Sequence, residues 1–307
     1  MTARKPLKFT ALDGFFAFDE RATRPKPADA SAMPQLTTLP GLGLIDQPYP
    51  TDSDFDPEGK KQPWERFTHY LHHLNETEKG KAWHKLIYVT RHGQGYHNAK
   101  ESAVGTAEWE SKWVHLNGDD KTTWFDSNLT PLGRSQALSL QEFWQTNSST
   151  LKLPLPQKVY SSPLTRCLET TQLSCSFLFP PKEQDTPPAP SPIVKELLRE
   201  RLHRHTCDRR RPRSYISDSF PLFKLEEGFT EEDELWKPEG RETLEEHTER
   251  VKTVLNQVFA ANGDEEEIIS FTAHYGTIEA LIAATGHRWF WVSPANVVPF
   301  LIKAEEV

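Results

Sequence analysis

The sequence predicts an α/β protein: an open sheet with helices on both faces. Three observations lead there. Short apolar, β-rich runs at Leu86-Ile87-Tyr88-Val89, Lys158-Val159-Tyr160 and Ile268-Ile269-Ser270-Phe271 recur along the chain. Stretches with apolar residues every three or four positions lie between them. Pro or a capping residue stands where each such stretch should turn helical. Strands separated by helices build sheets whose crossovers cover both faces.

Taken in order, residues 1–60 are rich in Pro, Asp, Gly and Thr, with one apolar patch at Phe15-Phe16-Ala17-Phe18. They read as an irregular arm that packs on the body through those aromatics. Residues 63–75 carry Trp64, Phe67, Tyr70, Leu71 and Leu74 at helical spacing behind Pro63. The strand at 86–89 ends at Arg91-His92-Gly93. Thr130-Pro131 then opens a helix running to about Trp144, with Thr as cap and Pro in the first turn. After the strand at 158–160, Ser162-Pro163 opens a helix with Leu164, Leu168, Thr171, Cys175 and Leu178 on one stripe. Ile193-Val194 begins a weaker strand leading to Leu198 and Glu200. Thr243 and Glu246 form a capping box for a helix whose apolar face holds Leu244, Val251, Val254, Leu255 and Val258. The strand at 267–272 precedes His274 and a short helix from Thr277. Asn296–Ile302 closes the series as a strand, and Pro299 within it predicts an edge or a bulge.

This division gives an N-terminal extension, residues 1–80, packed on a body of residues 81–307. An insertion covers about 202–242, basic at Arg204, Arg209, Arg210, Arg211 and Arg213, then acidic at Glu226, Glu227, Glu231, Glu232, Asp233 and Glu234. An irregular stretch of that length inside a compact body is often a lid or substrate loop.

Composition narrows the function. Across 307 residues, 36% are apolar and 26% charged, a globular and soluble balance. With 44 acidic against 36 basic residues the formal charge is −8, which argues against sequence-independent nucleic-acid binding. No apolar run approaches the ~18 residues of a membrane span, and no apolar stretch follows the N-terminal charges as in a secretory signal. Three cysteines, Cys167, Cys175 and Cys207, are too few for a disulfide framework. Cys167 and Cys175 lie on a helical stripe and read as core packing. The expected location is the reducing cytoplasm. Nothing in the pattern specifies an oligomeric state.

The chemistry lies in position. Arg91 with His92, Ser162, Glu200 and His274 each follow a predicted strand, and in open α/β sheets ligands bind beyond those ends. Arg166 sits in the first turn of the helix after Ser162. Two His, a Glu and guanidinium groups in one crevice suit phosphoryl transfer. Arg91 and Arg166 would bind phosphate oxygens in pairs. A protonated His274 would add a third donor. His92 would attack phosphorus, and Glu200, its pKa raised by burial, would protonate the leaving alkoxide and later take a proton from water. With the charge met by protein cations, the scheme needs no metal.

The stretch Arg91-His92-Gly93-Gln94-Gly95-Tyr96-His97-Asn98 resembles the signature of the histidine phosphatase (phosphoglycerate mutase-like) superfamily, branch 1. Further segments match in the family's order. They are Leu129-Thr130 with Gly133, Gln136 and Ala137; Ser162-Pro163-Leu164-Thr165-Arg166; Leu198-Arg199-Glu200-Arg201; and Ala273-His274-Tyr275-Gly276. The chain is most similar to a fungal cytosolic phosphomutase-like group, through its N-terminal extension and Cys207-Asp208-Arg209-Arg210. The resemblance implies a three-layer α/β/α sandwich with a mixed, mostly parallel sheet. It implies a phosphate pocket of Arg91, His92, Arg166 and His274, with phosphate contacts from Asn98, Gln94 and Gly276 and Glu200 as proton donor, and no cofactor.

One departure bears on the reaction. Cofactor-dependent mutases carry a longer Gly- and Asn-containing segment after their Glu-Arg pair, where this chain has Leu202 to Arg209. That favours phosphatase over phosphomutase or phosphotransferase, with a non-catalytic binding protein as a third reading. His203, His205, Cys207 and Asp208 are close in sequence, but their alternate spacing and the adjoining arginines argue against a metal site. Arg209, Arg210 or Arg211 would bind a second anionic group of the substrate, or form a basic surface paired with residues 226–234; both stand open. The partner is a small-molecule phosphate. If Trp109, Trp113, Trp124 and Trp236 line the cleft, it has an isoprenoid or aromatic part; if they are core, it is a sugar phosphate or phosphorylated acid.

Overall fold

In the segment Ala82–Arg91 every residue but Trp83 is buried. A strand covered on both faces needs apolar side chains pointing both ways, which Leu86, Ile87, Tyr88 and Val89 supply. The computed structural model describes residues 6–23, 26–29, 32–179, 191–261 and 266–307. Its strands are β1 (Leu7–Ala11), β2 (Gln35–Leu36), β3 (Ala82–Arg91), β4 (Lys158–Ser161), β5 (Ile193–Val194), β6 (Lys224–Leu225), β7 (Ile268–Ala273), β8 (Trp291–Val292) and β9 (Val297–Glu306). Its helices are α1 (Asp52–Phe55), α2 (Pro63–Thr77), α3 (Tyr96–Val104), α4 (Thr106–Ser111), α5 (Pro131–Thr150), α6 (Thr165–Cys175), α7 (Arg213–Ser219), α8 (Leu244–Ala261) and α9 (Tyr275–Thr285).

Seven strands form one sheet in the order β1-β9-β3-β7-β4-β5-β6, and β2 pairs with β8 apart from it. β9 runs antiparallel to both neighbours, while the remaining pairs are parallel. The sheet is therefore mixed and mostly parallel, with flanking helices, as expected. Helix starts follow the capping chemistry. The Thr130 hydroxyl accepts from Gly133 N at the head of α5. Thr243 and Glu246 exchange hydrogen bonds ahead of α8. Side chains between layers merge in one apolar core that includes Leu86, Val89, Leu140, Val254, Phe271 and Leu281.

Two expectations need correction. β9 is an interior strand, held by β3 on one side and β1 on the other, although Pro299 had pointed to an edge or bulge. Leu301 O, which accepts from Leu12 N, and Val297 N, which donates to Thr38 Oγ1, face the β1 side of the strand. Pro299 lies between them with the same orientation, and β1 pairs only with residues 302–306. Its missing N–H therefore falls where β1 has already departed. The N-terminal residues are also less irregular than expected, because Leu7–Ala11 adds the β1 edge. Phe16 and Phe18 do bury themselves, against Trp64 and Phe67 and against His287 and Phe290 respectively.

The segment 202–242 contributes to the body as well as to the cleft. β6 extends the sheet, and Ile216, Phe220, Phe223 and Phe229 pack with Leu168 and Val194. Arg199 reaches Asp233 from both terminal nitrogens, at 2.6 and 2.7 Å. Arg210 Nε donates to Glu196 at 2.8 Å, and its terminal nitrogens reach the carbonyls of Thr230, Glu231 and Glu232.

Candidate active site

The sheet order determines where the chemistry converges. β3, β7 and β4 are successive neighbours and run parallel, so Arg91-His92, His274 and Ser162 leave the same edge side by side. β5 adds Glu200 from the next position. The chain arrives at this edge from both directions of strand addition, which opens a crevice there.

The turn after β3 is held by residues that the sequence presented only as motif letters. Gly93 N donates to Thr170 Oγ1 at 3.0 Å, and Gln94 N to Gln136 Oε1 at 2.9 Å. A Cβ on Gly133 would lie 2.1 Å from Gln94 O, and one on Gly93 2.6 Å from Gly133 O. Only two glycines let the turn lie on the first turn of α5. Asp126, fully buried, accepts from Thr165 N and Thr165 Oγ1 at 2.8 Å each and so holds the start of α6, from which Arg166 projects. The backbone around Glu200 is pinned by Arg250, which donates to the carbonyls of Leu197, Arg199 and Glu200.

Within this frame His92 is 2% exposed. Its Nδ1 lies 2.7 Å from Gly93 O, so Nδ1 carries the proton and Nε2 holds a lone pair. Arg166 Nε donates to that Nε2 at 3.2 Å. Burial, then Arg166 and Arg91, keep the His92 pKa well below the ordinary imidazole value. Arg91 donates to Val292 O at 2.9 Å and lies 4.7 Å over the Trp291 ring; its Nε, buried, has no partner. The Glu200 residue keeps some exposure, but its carboxyl end is enclosed. Burial and then the Asp208 charge raise its pKa, against backbone N–H donation from Arg201 and Gly276 and the pull of Arg166. A Cβ on Gly276 would meet Glu200 Oε1 at 2.1 Å, so Gly276 is the wall against which that carboxyl rests.

These groups open into a cleft of about 280 Å³. Arg91, His92, Asn98, Arg166, Glu200 and Gly276 line it together. Three expectations change. His274 is fully buried behind the lining, edge-on to His92 at 5.1 Å between ring centres, with Nε2 2.7 Å from Ser162 Oγ. Burial and Arg166 depress its pKa well below the usual value, so in this state it is a neutral group and not a third cation. Gln94 points away: its Oε1 accepts from Thr130 Oγ1 at 2.8 Å, because the turn needs that tie to α5. Arg209 is exposed, its guanidinium over Phe125 and Trp236, outside the cleft. Its neighbours serve the framework, Arg210 as described and Arg211 through Asp126 O and Thr165 Oγ1.

Sequence reasoning missed several lining groups. His97 stood in the quoted motif without a role; it is 8% exposed, and its buried Nδ1 has no partner. Asp208 ion-pairs with Arg166 Nη2 at 2.8 Å. Glu101, Glu110 and Glu279 also line the cleft, and no local pattern marked them; Arg201 and His203 line it too, one quoted only as a motif letter and the other weighed only as a metal ligand. Trp109 lines the cleft while also packing in a buried cluster with Trp124 and Val114, and Trp236 donates to His205 O. Cys167 is buried as expected, but its Sγ lies 3.3 Å from His274 Nε2. Ligand atoms of His205, Cys207 and Asp208 come within 4.8 Å of one another. Arg166 occupies Asp208, and burial drives the Cys207 pKa well up, so this set is a poor match for a cation. Asp13, Asp19 and His287 also approach within that distance; Asp19 accepts from Gly14 N and Arg288 donates to Asp13, a structural use.

Comparison with known proteins adds the following. A family model for the histidine phosphatase superfamily (branch 1) matches residues 87–290. A probable phosphoglycerate mutase of Arthroderma benhamiae is 39% identical over 301 residues, 97% of this chain and 85% of the relative. A probable phosphoglycerate mutase of Saccharomyces cerevisiae is 35% identical over 237 residues, 71% of this chain and 77% of the relative. Among solved structures, the ecdysone phosphate phosphatase of Bombix mori in complex with tungstate aligns at 18% identity with a TM-score of 0.42, over 65% of this chain and 76% of that one.

Proposed function

We infer function from one premise, that the chain belongs to the histidine phosphatase superfamily, branch 1, and we propose that it hydrolyses a small phosphate monoester through a phosphohistidine on His92. The observation that carries this reading is the state of His92: Nδ1–H tied to Gly93 O, and a neutral Nε2 facing Arg166 in an enclosed cleft. A nucleophile has to be unprotonated and aimed, and the two hydrogen bonds accomplish both.

Substrate phosphate would lie between the Arg91 and Arg166 guanidiniums, which meet the charge that spreads over the oxygens in the transition state. Nε2 forms a bond to phosphorus as the P–O bond to the alcohol breaks. Glu200, whose pKa its surroundings raise, gives its proton to the departing oxygen. Water then attacks the phosphohistidine with Glu200 as base, releasing phosphate and restoring both groups. Because two arginines supply the positive charge, turnover should not need a divalent ion. Glu101, Glu110, Arg201, His203 and Glu279 give the cleft a charged and polar lining, in which Trp109 and Tyr275 are the large rings while Trp124 is core, and this balance supports a sugar phosphate or phosphorylated acid over an isoprenoid. The three cysteines are free thiols, in keeping with a reducing, cytoplasmic setting, and no helix among the described residues is long and apolar enough to cross a membrane.

The mutase reading, already the alternative in the sequence, is also carried by the names of the relatives, and the products separate the two. Phosphate release from p-nitrophenyl phosphate in excess EDTA, for wild type and His92→Ala, tests the chemistry. A panel of sugar phosphates and phosphorylated acids follows, scored for free phosphate against an isomeric ester. Release that persists in His92→Ala would sink the proposal; an isomer without free phosphate would replace hydrolysis by transfer.

A further inference from the structure

Asp208 has no part in the scheme above, yet it lies at its centre. Arg166 is 1% exposed and spends two of its three nitrogens away from the nucleophile: Nη2 on Asp208 Oδ1 at 2.8 Å and Nη1 on the Cys207 carbonyl at 2.6 Å. The remaining Nε points at His92 Nε2. Asp208 is itself 5% exposed and lines the same cleft as Glu200. A buried carboxylate in a pocket meant for a dianion is costly to substrate binding, so its presence needs a reason.

We propose that Asp208 is a positioning residue with two linked effects: it turns Arg166 so that Nε faces the phosphoryl group, and its fixed negative charge opposes any second negative charge in the cleft, whether on Glu200 or on the departing phosphate. The proposal rests on the phosphatase reading and deepens it. The groups around Glu200 fall into three sets. Asp208 opposes its ionisation; Arg166, Arg91 and the N–H groups of Arg201 and Gly276 favour it; Tyr275, Cys167 and Cys207 are neutral neighbours. After burial, Asp208 is the next cause that raises the Glu200 pKa. The same charge partly cancels Arg166, so product phosphate is held less tightly than by two uncompensated guanidiniums.

The test compares wild type, Asp208→Asn and Asp208→Glu in two measurements. One is the pH profile of kcat/KM on an alkyl phosphate, whose leaving group needs the proton. The other is calorimetric binding of inorganic phosphate, which requires no turnover. Asn keeps an acceptor for Arg166 and removes the charge. It should move the basic limb of the profile toward acid by about one pH unit and tighten phosphate binding about ten-fold, the usual scale for a charge at this range. Asp208→Glu retains the charge and should keep both the limb and the weak binding. An Asn variant with the wild-type limb and phosphate affinity, or a loss of rate equal at every pH, overturns the proposal. Should Asn fail to fold, Asp208→Glu decides alone: an acid-shifted limb overturns, an unshifted one supports. If wild type binds phosphate but hydrolyses nothing, the phosphatase reading falls, while the binding comparison still tests the charge effect.

Discussion

Replacing Gly276 by Ala should disable proton donation without touching the nucleophile. The added methyl would sit 2.1 Å from Glu200 Oε1 and 3.2 Å from Cδ, where ordinary contact begins at 3.4 Å. The carboxyl must therefore retreat by about 1.3 Å from its resting position, the difference between those separations. It cannot move freely, because its backbone carbonyl is held by Arg250 and its Oε1 accepts from Arg201 N at 2.7 Å. Misplacing a catalytic group by ~1 Å costs up to ~10²-fold, and losing a general acid ~10²- to 10⁴-fold. We therefore expect kcat/KM for an alkyl phosphate to fall about 10²-fold. The p-nitrophenyl ester should fall much less, since nitrophenolate leaves without a proton. The assay is a pair of progress curves for the two esters on wild type and Gly276→Ala, with inorganic phosphate inhibition as a check on the pocket. Equal losses on both esters, or none on either, would refute the assignment of Glu200 as the acid resting on this wall.

Three other outcomes can be checked by stability measurements. Gly133→Ala would drive a methyl into Gln94 O at 2.1 Å, so denaturant melts should show a loss of about 2 kcal/mol or more, together with loss of activity as the turn after β3 shifts. Asp233→Ala would leave the fully buried Arg199 without its bidentate partner; a cost of about 3–5 kcal/mol is expected, and a change under about 1 kcal/mol would contradict the pairing. The third concerns pH. His92, His97 and His274 have folded pKa values pushed below their unfolded values, by burial first in each case. Their stabilising contribution is complete above the unfolded value near ~6.5 and is lost as pH falls, because the unfolded chain then binds more protons. Asp126, Glu196 and Glu200 are shifted the other way and lose stability as pH rises above the ordinary carboxylate range. The clean comparison is by variant: His92→Gln should show a shallower fall of melting temperature from pH 7 to pH 5 than wild type, and parallel curves would show that His92 does not withhold a proton.

Much of the site could be read before the structure because its residues follow strands. Arg91 closes β3, and His92, Ser162 and His274 come directly after β3, β4 and β7, where a change from apolar to polar residues marks the end of a buried run. Tertiary choices were not legible. Arg209, Arg210 and Arg211 are consecutive and chemically identical, yet one is exposed, one is buried among carbonyls and one braces Asp126. Their fates depend chiefly on residues 14 to 85 positions away. Asp208 meets Arg166 across 42 positions, so no local spacing announces the pair. β1 escaped notice because five residues give too little alternation to stand out, and its partner lies at the other end of the chain. Pro299 misled for a related reason: the rule that confines Pro to edges applies residue by residue, and β9 is unpaired on one side only there.

The position of β9 also has a consequence for how the protein is made. This strand fills the place between β1 and β3, whose residues precede it by some two hundred positions or more. During synthesis β3, β4 and β5 leave the ribosome long before residues 297–306, and β1 has no place to dock until β9 has been made. Until residues 297–306 clear the ribosome, the exposed flank of β3 is a long apolar edge with unpaired N–H and C=O groups, the kind of surface that other nascent chains can add to. A chain truncated near residue 296 would thus leave β3 with one flank unpaired and β1 with no strand to dock on.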